Sequence, residues 1–223
     1  MDLREVMQTT FAAREFRDEP VPRDLIHRVL DAARFAASGG NRQGWRVIVL
    51  EDRQQREALG ELIVPTFRRC LAQMAAGEVY WNSVVPSRVT EAEVEATEPP
   101  VALIQQMLEA PVLLLVAVDL SQVASFDKDL ERVGVVSGAS IYPFVWNILL
   151  AARNEGLGGT LTTYIVPEEE KARELLGLPA HYAIAAMLPM GWPVKQLTRL
   201  KRNPVESFVT LDRFDGAPLR GPA

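Results

Sequence analysis

The most constraining feature of this chain is an uninterrupted apolar run between Pro111 and Asp119, with the sequence PVLLLVAVD. Strands with one face in water alternate apolar and polar residues, whereas a strand covered on both faces reads as a continuous apolar run. The run therefore predicts a central strand in a sheet that is covered on both faces. Val47–Leu50 is a shorter β-branched run that carries the same prediction of burial on both faces, and Ala183–Met190 predicts a further strand.

Helical patterns lie before, between and after these strands. The apolar spacing predicts helices over residues 3–13, 23–35, 54–74 and 135–155, and a shorter helix between Pro167 and Gly177. Residues 135–155 are apolar on most helical faces, which predicts burial in the core or at a subunit interface. Pro143 within this segment predicts either a kink or a helix start near Ser140.

The mixture of helices and strands along the whole chain predicts one α+β domain over residues 1–223, built around a central sheet. A variable excursion is expected at about residues 66–110, because Gly77–Pro100 lacks a regular pattern and is typical of a surface lid. Near the end of the chain, Phe208–Leu211 predicts a short strand.

The composition excludes several classes of protein. A net charge of −5 argues against sequence-independent nucleic-acid binding, which needs a basic surface. The single cysteine, Cys70, fits a reducing compartment, and no apolar run has the length of a membrane span. The first residues lack the apolar region of a signal peptide. We therefore expect a cytoplasmic protein that contacts neither a membrane nor nucleic acid.

The ten residues Ala36–Trp45, with the sequence AASGGNRQGW, join a predicted helix to a predicted strand. Gly39 and Gly40 permit positive φ or a close backbone approach, and the neighbouring polar side chains supply both donors and acceptors. Two interpretations are open at this point. The segment is either a polar cradle for a flat ligand that forms hydrogen bonds, or an ordinary helix-to-strand turn with solvated side chains.

The sequence offers few groups that could carry out catalysis by themselves. Its two histidines, His27 and His181, have no companions at the spacing of metal ligands, so no metal site is predicted. No nucleophile elbow or phosphate-binding loop follows a strand, and the glycines of Gly156–Thr160 follow a helix instead. No catalytic side chain is therefore predicted, and an enzyme with this sequence needs a bound cofactor.

Three separated polar segments are candidates for holding such a cofactor. Arginines near both ends of the chain, Arg14 and Arg202 among them, are suited to a phosphate. The Ser38–Gln43 loop is suited to a ribityl chain or a pyrimidine-like edge, and Gly156–Thr163 could place backbone amides against a ring. Each segment also has a purely structural interpretation, because surface arginines are usually solvated and glycine-rich segments are usually turns.

The order of these motifs resembles that of the FMN-dependent nitroreductase family, from Thr10 to about Phe214. Five elements carry the resemblance: Arg14-Glu15-Phe16, Val21-Pro22, Ala37–Trp45 (ASGGNRQGW), Leu150–Gly158 (LAARNEGLG) and Arg202-Asn203-Pro204. The resemblance implies a nitroreductase-like α+β fold, with a central, mainly antiparallel β-sheet flanked by helices. It also implies an intertwined homodimer with FMN at the subunit interface, which would account for the very apolar helix after Ser140.

The resemblance implies that the flavin carries the chemistry and that it is bound by Ala13, Arg14, Ser38, Gly39, Asn41, Gln43, Leu161, Thr162, Thr163 and Arg202. Arg14 and Arg202 would contact the FMN phosphate, and the polar loop would contact the ribityl chain and the edge of the ring. The backbone of residues 161–163 would face the flavin N5–O4 edge. The implied reaction moves hydride from NADH or NADPH through FMN to a nitroaromatic, a quinone or a similar small acceptor.

The chain departs from the family pattern at four places, one of which is the bulky Tyr142-Pro143-Phe144 in a stretch that is usually small and apolar. Thr10 or Phe11 stands where the family often has another phosphate-binding arginine, and Ala37 and Gly44 replace prolines, which is expected to loosen the loop. The departures keep two alternatives open, a non-catalytic flavin-binding or flavin-sequestering protein and a specialised flavin dehydrogenase or dehalogenase. Three aromatic residues are candidate walls of an acceptor pocket, with core or dimer packing as the alternative: Phe67, Tyr80 and Trp81.

Overall fold

The computed structural model of the chain describes residues 1–221, so residues 222 and 223 of the predicted domain lie outside the described residues. The helices are α1 (Leu3–Thr9), α2 (Arg23–Ala33), α3 (Arg53–Ala75), α4 (Glu91–Ala96), α5 (Val101–Leu108), α6 (Tyr142–Asn154) and α7 (Glu169–Leu176). The strands are β1 (Trp45–Val49), β2 (Val112–Asp119), β3 (Gly158–Gly159) and β4 (Tyr182–Gly191).

The four strands form one antiparallel sheet in the order β1-β2-β4-β3. β2 lies in the interior of the sheet, where its Val118 pairs with Trp45 of β1 and its Asp119 pairs with Tyr182 of β4. Every residue of β2 before Asp119 is buried. The prediction of a central strand covered on both faces is therefore confirmed, as is the α+β fold with a mainly antiparallel sheet.

Different helices cover the two faces of β2. Leu114 and Val116 belong to an apolar cluster with α2 and α6, whereas Leu113 and Leu115 belong to a second cluster with α3, α5 and α7. Successive residues of a strand point to opposite faces, so a strand between two helical layers must be apolar throughout. Each fully buried leucine or valine side chain contributes about 1.5–3 kcal/mol, which makes β2 a major source of hydrophobic stabilisation.

α6 begins at Tyr142 and has Pro143 in its first turn. The missing N–H of a proline costs nothing at that position, so the predicted start near Ser140 is confirmed and no kink is needed. Phe144 stacks on Trp45 of β1, with ring centroids 4.5 Å apart and planes 5° from parallel. Tyr142 and Trp146 share another face of the helix, and this face is uncovered within the chain, since the two residues are 43% and 44% exposed.

Two predicted strand features are wrong. The segment around β1 is not buried on both faces, because β1 forms an edge of the sheet and Val49 is 38% exposed. Phe208–Leu211 is not a strand, because Phe208 still caps a 3-10 turn and the pairing with residues 217–219 is limited to a single bridge. Within this segment only Thr210 is bridged, to Pro218.

Within the excursion at residues 66–110, the stretch Gly77–Pro100 contains one short helix, α4, that its sequence did not predict. α3 continues to Ala75, and α4 begins with a capping box in which the Glu93 carboxylate accepts the Thr90 N–H at 2.7 Å. The irregular stretch between these helices is tied to α3, because the Trp81 N–H donates to the Gln73 side-chain oxygen at 3.1 Å. The excursion therefore packs on α3 as an ordered addition.

Candidate functional site

The N-terminal segment reaches the sheet immediately after α1. The first helix ends at Thr9 rather than at the predicted residue 13, because Ala12 forms a parallel bridge with Gly159. The buried Ala13 N–H donates to the Gly159 carbonyl at 3.1 Å. A Cβ on Gly158 would lie 2.9 Å from the Ala13 Cβ, so glycine is required for this close approach. This pairing fixes the position of the next residue along the chain, Arg14.

The segment from Thr160 to Thr163 runs beside β4 and bonds to it through alternate residues. The Thr160 N–H donates to the Pro189 carbonyl at 3.2 Å, and Thr162 exchanges two backbone hydrogen bonds with Met187, both at 2.9 Å. In an extended chain the intervening N–H groups point the other way. Leu161 and Thr163 are exposed, and within residues 1–221 their amides have no hydrogen-bond acceptor. These amides are free to donate to a ligand.

Arg14 and this segment line one cavity, together with side chains from α3 and α5. Its lining comprises Arg14, Phe67, Leu103, Gln106, Met107, Thr160, Thr162, Tyr164 and Pro189. Phe67 therefore lies where a pocket wall was predicted, but Tyr80 and Trp81 are exposed and do not line the cavity. Arg14 is the only charged residue of the lining, and its recorded hydrogen bond, to the Ala12 carbonyl at 3.3 Å, is local.

Tyr164 belongs to this cavity and was not identified from the sequence. Its ring packs against Phe67, with centroids 4.1 Å apart and 32° between the planes. Burial raises the pKa of the Tyr164 phenol, and the nearby positive charge of Arg14 opposes this shift. The available signal was its position directly after the Thr162-Thr163 pair, but the contact with Phe67 depends on packing that is distant in sequence.

The polar loop at residues 38–43 is strained and internally bonded. Gly40, Asn41 and Gln43 have φ values of 62°, 55° and 50°, a conformation that costs a residue other than glycine about 1–2 kcal/mol. The Ser38 hydroxyl accepts the Gln43 N–H at 3.0 Å, and the Gly39 N–H donates to the Ser140 hydroxyl at 3.1 Å. Strain that the surroundings hold in place is typical of binding sites, which favours the cradle over the ordinary turn.

Gly44 packs closely against its surroundings, and the expectation that it loosens this loop relative to proline stays a prediction. The Gly44 carbonyl accepts the Asp119 N–H at 2.8 Å, and a Cβ at this position would lie 2.8 Å from the Gln122 Cβ. Glycine is therefore needed because the loop packs closely against the residues that follow β2. For Ala37, which also stands where the family has a proline, the expectation of a looser loop stays a prediction as well.

The described chain places the predicted ligand-binding residues in two regions. Ala13, Arg14 and residues 161–163 lie at the β3–β4 side of the sheet, whereas residues 38–43 lead into β1 at the opposite edge. Three strand spacings, about 14 Å in total, separate these edges. Arg202 joins neither region, since it is exposed and its recorded hydrogen bond goes to the carbonyl of Lys201 at 2.8 Å.

Other kinds of site are not formed by the described part of the chain. Residues 1–221 contain no cluster of three or more His, Cys, Asp or Glu side chains placed to hold a metal ion. None of the helices in these residues combines the length and the apolar character that crossing a membrane requires. Cys70 is buried, and burial raises the pKa of its thiol, which disfavours the nucleophilic thiolate.

Fold and site together define an α+β protein with a central antiparallel sheet and polar groups available to a ligand. An antiparallel sheet supports an arginine without a carboxylate partner, two outward-facing amides and a strained polar loop, without a nucleophile or a metal centre in the described cavity. The chain belongs to the Nitroreductase family, whose model matches residues 9–192. The family prediction is thereby confirmed.

Relatives of known name are distant but similar over most of their length. The chain is 28% identical over 204 residues to an NADH dehydrogenase of Thermus thermophilus, covering 88% of this chain and 89% of the relative. It is 26% identical over 209 residues to iodotyrosine deiodinase 1 of Homo sapiens, covering 92% of this chain and 66% of the relative. A crystal structure of oxidized iodotyrosine deiodinase bound to FMN and 3-iodo-L-tyrosine has a TM-score of 0.68 at 24% identity, covering 96% of this chain and 100% of that chain.

Proposed function

We propose that this protein is an FMN-dependent oxidoreductase that moves hydride from NADH or NADPH to a nitroaromatic, a quinone or a similar small acceptor. The observation that carries the proposal is that Arg14, Thr160 and Thr162 line one cavity, and that the amides of Leu161 and Thr163, unpaired within residues 1–221, lie in the same segment. When bound there, FMN would supply a ring that accepts and returns hydride. The protein would contribute position, hydrogen bonds and an apolar enclosure.

The residues on the protein suit the separate parts of this cofactor. Arg14, which has no carboxylate within salt-bridge distance in residues 1–221, would bind the phosphate, and Arg202 would supply a second cation from the C-terminal segment. The amides of Leu161 and Thr163 would donate to the polar edge of the ring. Ser38, Gly39, Asn41 and Gln43 would contact the ribityl chain and the ring edge.

A homodimer is part of the proposal, because one chain presents these groups at opposite edges of its sheet. A second copy could bring its loop at residues 38–43 to the Arg14 side of the first copy, and the symmetry of a dimer would form two such sites. The uncovered face of α6, with Tyr142 and Trp146 exposed, supplies apolar surface for such an association.

The side chains around the cavity favour a neutral aromatic acceptor. Apart from Arg14, which is assigned to the phosphate, the lining consists of neutral side chains such as Phe67, Leu103 and Met107, and among the described residues it contains no carboxylate. The cavity of the single chain encloses only about 40 Å³, so these side chains would have to part to admit a ring. An amino-acid substrate such as 3-iodotyrosine carries an ammonium group, which needs an anionic or carbonyl partner when it is enclosed. Because the described lining offers no anionic partner for an ammonium group, a quinone or nitroaromatic is a better candidate acceptor than the amino-acid substrate of a dehalogenase.

The decisive experiment is an anaerobic absorbance titration of the purified protein with FMN and then with NADH or NADPH. The expected result is tight FMN binding, bleaching of the flavin bands by one of the two donors, and return of the bands when 1,4-naphthoquinone is added. Bound FMN that neither donor bleaches would support the flavin-sequestering alternative. Failure to bind FMN would contradict both functions.

A further inference from the structure

The pairing of strands in the sheet does not require a tyrosine at position 164. Tyr164 comes directly after Thr163, at the end of the segment that runs beside β4, and it is half-buried. Its ring contacts Phe67 of α3 at a centroid distance of 4.1 Å, and both side chains line the cavity that contains Arg14 and Thr162. The tyrosine therefore stands between the proposed cofactor-binding segment and the apolar wall formed by α3.

The hydroxyl group of Tyr164 has no hydrogen-bond partner among residues 1–221. The hydroxyl is not among the buried side-chain atoms that lack a partner, so it is open to solvent and water can accept its hydrogen bond in the free protein. Burial of the ring raises the pKa of this phenol, so the group is protonated and able to donate throughout the neutral range. A ligand that enters the cavity can replace water as the acceptor.

The Thr162 hydroxyl lies 3.3 Å from the Met187 carbonyl, to which it donates, and Arg14 is assigned to the phosphate. The side chains of Gln106 and Thr160 also line the cavity without a recorded side-chain hydrogen bond in residues 1–221. Tyr164 differs from both in carrying its donor on an aromatic ring, and a ring is also what a flat aromatic molecule packs against.

We propose that Tyr164 binds the electron acceptor, its ring forming a wall of the acceptor site and its hydroxyl donating a hydrogen bond to the acceptor oxygen. This role rests on the proposed function. Reduction of a quinone adds hydride and a proton from water, and negative charge develops on the oxygen as hydride arrives. A donor already aimed at that oxygen stabilises the charge, while the tyrosine keeps its own proton.

The test compares Tyr164→Phe with the wild-type protein on two acceptors, 1,4-naphthoquinone and ferricyanide. Ferricyanide takes single electrons and needs no hydrogen bond at a carbonyl oxygen. Loss of one hydrogen bond to developing charge is expected to lower kcat/KM for the quinone about tenfold, with little change for ferricyanide. The FMN affinity and the rate of bleaching by NADH or NADPH should stay at the wild-type values.

Two further variants complete the test. One distinguishes the contribution of the Tyr164 ring from that of its hydroxyl, and the other controls for general effects of replacing a tyrosine. Tyr164→Leu removes the aromatic wall, so it should raise KM for the quinone beyond the value for Tyr164→Phe. Tyr182→Phe is the matched control, because Tyr182 is a half-buried tyrosine at the start of β4 and does not line this cavity. It should leave both acceptor reactions unchanged.

Two results would overturn the assignment. Tyr164→Phe could reduce the quinone at the wild-type rate, or it could lose the same factor with both acceptors. Either result would remove the role of Tyr164 and leave the proposed function intact, provided that the variant binds FMN and that NADH or NADPH bleaches the bound flavin. A wild-type protein that does not bind FMN would overturn both.

Discussion

At the scale of single residues, Arg14 differs from the exposed arginines that hold an ion pair. Arg17, three residues further along the chain, pairs with Glu19 at 3.2 Å, and Arg53 pairs with Glu57 at 2.7 Å. Such exposed pairs contribute little to stability, so their absence at Arg14 carries little energetic cost. Because Arg14 has no carboxylate partner in residues 1–221, the N–H donors of its guanidinium that do not bond to Ala12 are free for an anion.

Replacing Arg14 by glutamine is therefore expected to weaken FMN binding without affecting folding. A charged hydrogen bond contributes about 1.5–3 kcal/mol, which corresponds to a loss of about tenfold to a hundredfold in affinity. Titrations that follow flavin fluorescence should show this loss for FMN and almost none for riboflavin, because riboflavin has no phosphate. The matched control is Arg4→Gln, at an exposed arginine of α1 without an ion pair in residues 1–221.

Equal weakening of FMN and riboflavin would contradict the phosphate role of Arg14, since it would indicate a general disturbance of the cavity. An unchanged FMN affinity would contradict it as well. The thermal unfolding temperature of each variant, measured without flavin, distinguishes loss of a contact from loss of the fold.

At the scale of elements, the sequence predicts those features that depend on local pattern. β2 was recognisable because both of its faces are buried, and the helix start at Tyr142 follows from the allowed position of Pro143. The exposed edge of β1 was not recognisable, because strand order depends on pairing between distant segments. The role of Tyr164 was missed for the same reason, since its contact with Phe67 joins residues far apart in the chain.

The loop between β2 and α6 is organised by one buried carboxylate. Asp127 is 4% exposed, and it accepts the Val135 N–H at 2.7 Å and an Arg132 N–H at 2.8 Å. The hydrogen bond from the Val135 backbone is the main reason that the pKa of Asp127 is lowered. The same loop exposes Phe126, which is 89% accessible, and leads into Ser140, the residue that holds the strained polar loop.

Asp127→Asn is expected to lower the thermal unfolding temperature at pH 7, because an amide accepts fewer hydrogen bonds and its NH2 group opposes the neighbouring donors. A carboxylate with a lowered folded-state pKa stabilises the fold above its unfolded pKa, about 3.9, and this contribution disappears as pH falls through the folded value. The wild-type and variant melting temperatures should therefore differ most above pH 5 and converge as pH falls through the lowered folded-state pKa.

Asp129→Asn is the control for this loop, because Asp129 is exposed in the same segment. It should change the melting temperature little across this pH range. A difference between wild type and Asp127→Asn that does not shrink as pH falls below the unfolded value of about 3.9 would show that the ionised carboxylate is not what holds the loop.

At the scale of the whole molecule, the single chain contains both parts of the proposed site but places them at different edges of one sheet. Arg14 and residues 161–163 lie at one side, and the loop at residues 38–43 leads into the strand at the other. A dimer resolves this separation if each copy supplies one part to each site. Light scattering should then give a particle of twice the 24.8 kDa chain mass.

The mass of a dimer does not show that its two copies share a site. A mixed dimer, which combines two different variants, tests this directly. One protomer would carry Arg14→Gln, and the other would carry Asn41→Gly, which removes the side chain and suits the positive φ of 55°. If each site uses Arg14 of one copy and Asn41 of the other, the mixed dimer contains one site with both changes and one with neither. FMN titration of co-expressed, doubly tagged dimers should then reveal one wild-type site per dimer.

Each parental homodimer is the control, because both of its sites carry the same single change and should bind FMN weakly. If both groups instead served a site within one chain, every site of the mixed dimer would carry one change and no wild-type affinity would return. That outcome would contradict the shared site even if the protein is dimeric. Recovery of one tight site per dimer would also explain why the strained loop is held rigidly at an edge of the sheet, since it then serves the partner.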